Sequence, residues 1–182
     1  MRNSTLILAA GAALALPATA PAQIVPGLRA PESAADAIDD AQSMLCVLAA
    51  AGRPMPGLNM NLIGGEGMTQ LDRLPEGLAP FVAAAATQQI VQLHAPGDPV
   101  WVVNDSATGR CAIYSFTDAA AVEARLLKSL ATPKAWKRQE PSGGADHVFE
   151  WAIDKPLRLR TEITRPKTPG EPLAVVVTPF RR

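Results

Sequence analysis

The chain has 182 residues, 17 of them basic and 17 acidic, and hydrophobic residues make up 48% of it. That neutral balance gives no basic field for nucleic acid, while the length and apolar fraction suffice for one domain with a sizeable core. No apolar run reaches the ~20 residues a membrane span requires, so the chain is not expected to be membrane-spanning.

Arg2 precedes the apolar run LILAAGAALAL from Leu6 to Leu16, Pro17 breaks it, and Ala20-Pro21-Ala22 supplies small residues before Gln23. This pattern predicts a signal peptide over 1–22 and a product that is periplasmic or secreted. Residues 23–182 are expected to form a single α+β domain, beginning with a Pro/Gly-punctuated arm over 23–31. Its charge is uneven: 23–109 hold 3 basic and 9 acidic residues, 110–182 hold 13 and 8. Within one domain this amounts to a surface dipole.

Ser33 caps a first long helix, with Asp36 three residues on as an imperfect capping box. Ile38, Ala41, Leu45 and Leu48 recur at helical spacing, and Gly52 with Pro54 ends the run. Residues 53–77 carry Pro54, Pro56, Gly57, Gly64, Gly65, Gly67 and Pro75. They read as an irregular flap whose Met55, Leu58, Met60, Leu62, Ile63 and Met68 lie over hydrophobic surface. Leu78 to Thr87 is expected to be a short helix with Pro80 in its first turn.

Gln88 to His94 reads as a strand. Val100 to Val103, the turn residues Asn104 to Gly109, and Arg110 to Phe116 read as a β-hairpin, with Cys111, Ile113 and Ser115 on one side. Thr117 or Asp118 caps a second helix over Ala119 to Leu130, apolar along Val122, Leu126 and Leu130. Further strands are expected at Ala135 to Glu140, at His147 to Ile153 with His147, Phe149 and Trp151 in register, at Leu157 to Thr164, and at Leu173 to Thr178. The class is α+β: an antiparallel sheet of about six to seven strands, with the long N-terminal helix and the second helix packed on one face. No internal repeat is visible in the sequence.

Cys46 and Cys111 are the two cysteines, and in an exporting compartment they are expected to form a disulfide. Two histidines, His94 and His147, are too few for a zinc site of three or four side-chain ligands, so no metal and no cofactor are expected. Gly64-Gly65-Glu66-Gly67 lacks the Lys-Ser/Thr of a phosphate loop. The methionines suit irregular packing better than a soft copper site. Arg158 and Arg160 share a strand face near other cations, which favours a solvated outer sheet face over a patch for an anionic ligand or an acidic protein partner.

These residues contain no distinctive nucleophile–base pair. They predict a small exported binding or interaction module and no catalytic residues. Its candidate surface comprises Met55, Met60, Met68, Arg158 and Arg160, and its partner is an envelope protein or a small anionic or apolar ligand. The alternative is a small periplasmic hydrolase using His94 or His147 as base.

Overall fold

The computed structural model describes residues 31–53, 68–132, 135–153 and 157–181. Its first helical stretch runs without a break through α1 (Ala34–Asp40), a π-helical segment (Ala41–Cys46) and α2 (Val47–Ala50), and α3 (Ala119–Ala131) follows later. The strands are β1 (Met68–Leu71), β2 (Gln88–Leu93), β3 (Val100–Asp105), β4 (Arg110–Ser115), β5 (Trp136–Gln139), β6 (His147–Ala152), β7 (Leu157–Thr164) and β8 (Leu173–Arg181). All eight pair antiparallel in one sheet of order β1-β2-β3-β4-β8-β7-β6-β5. Each helical stretch is thus followed by a four-stranded meander, and the meanders meet where Ile113 of β4 lies opposite Val175 of β8. The repetition that the sequence hides is present in the topology.

Directly opposed residues share a face, so the register assigns every strand side chain to one of two sides. The helix-bearing side carries Val91, Leu93, Val100, Val102, Cys111, Ile113, Leu159, Ile163, Phe149, Leu173, Val175 and Val177. These residues, with Ile38, Leu45, Val122, Leu126 and Leu130 from the helices, form the main core. Both helices lie on this face, as their apolar stripes require. Asp118 caps α3, its carboxylate accepting from the backbone N–H of Ala120 at 3.0 Å. Arg125 of α3 reaches across to Asp36 (3.3 Å) and Asp39 (3.2 Å) of α1. Burial raises the neighbouring Asp40 carboxyl above its usual range, reinforced by the charges of Asp39 and Asp36.

The first helix is therefore not the single long α-helix expected from its spacing. In an α-helix a four-residue step overshoots one turn by about 40°, so positions 38, 42, 46 and 50 would spread over about 120° of the helix surface. Here Ile38, Gln42, Cys46 and Ala50 are all buried. The wider π turn between Ala41 and Cys46 narrows that spread. It lets Gln42 donate through Nε2 to Thr161 Oγ1 at 3.3 Å and holds Cys46 over β4.

The opposite face of β2, β3 and β4 carries a second, smaller core. Ile90, Val103, Ala112 and Tyr114 are covered there by Leu78 and Val82. The helix expected over 78–87 is only a 3-10 turn, Ala79–Phe81, because Val82 becomes extended (φ −128°, ψ 116°) as it turns into this core. Gln88 takes up backbone groups of the segment that a helix would have satisfied. Its Oε1 accepts from Ala85 N–H at 3.1 Å and its Nε2 donates to Ala83 C=O at 2.8 Å.

The sheet has eight strands where about six to seven were expected. The extra strand is β1, taken from the end of the predicted flap. Only its ends, Met68 and Leu71, are half-buried, so no alternation marks it as a strand. The predicted signal peptide over 1–22 and flap residues 54–67 lie outside the described residues.

Cys46 and Cys111 form the expected disulfide, with Cα atoms 5.1 Å apart and a sequence separation of 65. It pins the π segment to β4. Closing a loop of that length constrains the unfolded chain by about 4 kcal/mol. Replacing both cysteines with alanine is accordingly expected to remove about that much unfolding free energy, as read from denaturant titration of the oxidised protein. A loss below ~1 kcal/mol would mean that packing alone holds the helix.

Candidate functional site

The first helical stretch ends directly over the β3–β4 hairpin. Gly52 terminates it in the left-handed region (φ 78°), with Gly52 N–H donating to Ala49 C=O (3.0 Å) and Arg53 N–H to Leu48 C=O (3.0 Å). This is the paired-bond arrangement of a glycine-terminated helix. Below it, Gly109 (φ 71°) closes the hairpin so tightly that an added Cβ would sit 3.1 Å from Pro179 Cγ. The disulfide joins the two levels.

Between them is a cleft of about 550 Å³ lined by Ala49, Ala50, Gly52, Arg53, Gln89, Asn104, Ser106, Ala107, Thr108, Gly109 and Pro179. Two side-chain amides line it, since the exposed Gln89 of β2 lies directly opposite the buried Asn104 of β3, which in turn lies opposite Cys111. Asn104 is only 5% exposed, and its Oδ1 has no hydrogen-bond partner. Two other buried side-chain atoms among the described residues share that condition, Asp39 Oδ1 and Trp101 Nε1. Asp39 offers its other oxygen to Arg125, and Trp101 packs edge-on against Phe116 with ring centroids 5.7 Å apart. Asn104 differs in facing a cleft.

The neighbouring hydroxyls of the hairpin are already engaged. Ser106 Oγ donates to Thr87 C=O at 3.1 Å, and Thr108 Oγ1 to Asp105 at 2.7 Å. Asp105 also accepts from Thr87 Oγ1 at 2.6 Å. These hydrogen bonds hold its carboxyl below the usual range. The hairpin is thus rigid beneath the two amides.

A second polar cluster lies under α3. Glu123, 8% exposed, accepts from Arg165 at 2.6 Å and is hydrogen-bonded to His147 Nε2. Arg138 of β5 sits 3.1 Å from His147 Nδ1. A guanidinium only donates, so Nδ1 accepts and the imidazole proton resides on Nε2, directed at Glu123. Burial by itself would raise the Glu123 carboxyl, but the hydrogen bonds from Arg165 and His147 outweigh it and hold the carboxyl low. Asp146 accepts from Arg165 N–H at 2.7 Å and closes the cluster. His147 has a carboxylate on one nitrogen and an arginine on the other. His94, exposed, has Thr69 Oγ1 2.7 Å from Nε2. Neither histidine, in the contacts described, joins both a carboxylate and a Ser or Thr.

The sequence-predicted binding residues are dispersed. Met55 and Met60 lie outside the described residues. Met68 opposes Leu93 on the helix-bearing face, at the β1 edge of the sheet. Arg158 and Arg160 lie on the other face, on β7. Arg160 is tied to Glu162 (2.8 Å) and to Ser142. Among the described residues no group of three or more His, Cys, Asp or Glu is placed to hold a metal ion, and no helix is long and apolar enough to cross a membrane. Comparison with known protein families, curated proteins and solved structures finds no match to this chain.

Gln89, Asn104, Glu123 and Arg53 were not singled out by the sequence. Asn104 reads as turn chemistry, yet β3 continues through Asp105, and counting by two from Val102 places Asn104 on the inner face. Glu123 precedes Leu126 by three and Leu130 by seven, which puts a charge on the apolar stripe of α3. A charge there needs buried partners.

Because the Glu123 carboxyl is depressed in the folded state, its contribution is present above the unfolded value of about 4.3 and is lost as pH falls through the lower folded value. Glu123→Gln is expected to destabilise the protein by roughly 1–3 kcal/mol at pH 7. The difference from wild type should narrow at pH 3. Denaturant unfolding at the two pH values measures it, and an equal gap at both would contradict a depressed carboxyl.

Proposed function

We propose that this chain is a small exported binding module and that its ligand occupies the cleft above the Cys46–Cys111 disulfide. The observation that carries the reading is the unpartnered Oδ1 of the nearly buried Asn104, which lines the cleft opposite the exposed Gln89. A buried acceptor without a partner costs about 1–3 kcal/mol, and rotation of the amide about its side-chain torsion would turn that oxygen to a ligand donor in the cleft. The cleft's size lies within the range of small-molecule sites, about 300–1,000 Å³. The predicted signal peptide and the disulfide are compatible with a periplasmic or secreted location.

A hydrolase built on a histidine base has less support. The hydrogen bonds of His147 go to Glu123 and Arg138, an arrangement that fastens α3 to the sheet.

The reading makes an unusual demand on stability. Asn104→Leu, close in volume, should raise the melting temperature of the ligand-free protein by relieving the unpaired amide, at the expense of binding. An increase of about 4–8 °C per kcal/mol recovered applies to small domains, and about half of that at this chain's size. Calorimetric melting of wild type and variant tests it. A lower melting temperature in the variant would show that the amide is structural and overturn the assignment.

A further inference from the structure

We infer that the cleft takes the free C-terminal end of a short peptide, with the terminal carboxylate at Arg53 and the last peptide amide over Gln89 and Asn104. This deepens the binding reading above and rests on it.

Arg53 is the one charged side chain among the described residues lining the cleft. It is exposed at the rim and makes no ion pair among those found between described residues. A guanidinium presents a planar fork of donors that matches a carboxylate. Among the described residues no acidic side chain lines the cleft to repel an anion.

The end of α2 also faces the cleft, and a helix C-terminus bears about half a negative charge. Two of its carbonyls, Leu48 and Ala49, are already occupied by Arg53 and Gly52 N–H groups. The full charge of Arg53 therefore outweighs what is left.

The two amides supply the second point of recognition. Gln89 and Asn104 are a directly opposed cross-strand pair, which brings their Cβ atoms to about 5 Å. Each primary amide has a donor edge and an acceptor edge, the same pair of functions that a peptide bond presents. The Asn104 amide turns about a broad two-fold torsion, so it can offer either edge to the ligand. Ala49, Ala50 and Pro179 give the wall a small apolar surface, suited to a short terminal side chain such as a methyl group. Among the described residues no aromatic side chain lines the cleft, so they offer no platform for stacking on a sugar ring.

Isothermal titration of the full chain with trialanine, trialanine amide, acetate and glucose tests the inference, on wild type, Arg53→Gln and Asn104→Leu. Trialanine should bind wild type, and its C-terminal amide at least tenfold more weakly. Arg53→Gln should bring the free acid down to the affinity of the amide. Asn104→Leu should abolish binding of both peptides, and acetate alone should not bind measurably. Equal affinity for acid and amide, or an Arg53→Gln variant that binds trialanine as wild type does, overturns the carboxylate assignment. Binding of glucose in preference to the peptide, lost in Asn104→Leu, overturns the peptide class and leaves the cleft as the binding site. If no probe binds, the peptide inference fails. The melting temperature of Asn104→Leu then decides separately whether the cleft reading falls with it.

Discussion

The cross-link between the first helical stretch and β4 is the constraint on which the upper half of the molecule depends. Cys46 belongs to the π segment and Cys111 to the strand directly beside Asn104. Fixing those two points sets the height of α2 above the hairpin, and so the depth of the cleft. The helix has to arrive with Cys46 pointing down, and the π turn brings it nearer to the line of Ile38 than the offset of about 80° in an undistorted α-helix. Disulfide, π turn and cleft are one geometric solution.

The molecule treats buried polar groups in two contrasting ways. Under α3, Glu123 is surrounded by donors from Arg165 and His147, and His147 by Arg138. A network completed in this way specifies one docking of the helix, since any shift would strand a charge in the interior. Above the disulfide, Asn104 has been given no such company. Free energy spent on one unsatisfied group is small against the total of a folded domain, but it is a large share of the net stability of 5–15 kcal/mol. Such exceptions are expected where a site has been left ready for something else.

Much of this fold was legible in the residues. The hairpin from Val100 to Ser115, the cap at Asp118 and the alternation from Leu157 to Ile163 each follow from short-range chemistry. The pairing of Cys46 with Cys111, 65 residues apart, was legible because the chain has only two cysteines. What escaped was the rest of what depends on partners distant in sequence. β1 has only two half-buried residues and exists because β2 offers an edge. The expected helix after Leu78 was unmade by Val82 turning into a core built from β2, β3 and β4. The candidate site was hidden for a different reason. Amides are common on surfaces, and nothing in the order of letters around Gln89 and Asn104 announces that a register will set them side by side.

The seam between β4 and β8 has a consequence for how the molecule comes into being. β8 is the last strand in the chain and yet one of the two central strands of the sheet, pairing with β4 on one side and β7 on the other. A ribosome delivers it after the seven other strands of the sheet. Until it arrives, β4 has a bare edge and the two meanders have no strand to join them, so the nascent polypeptide carries two half-sheets with open flanks. Closure of the centre is then a late, long-range event of the kind that slows folding. A stop placed just before Leu173 would leave seven strands in the product and take away the middle of the sheet.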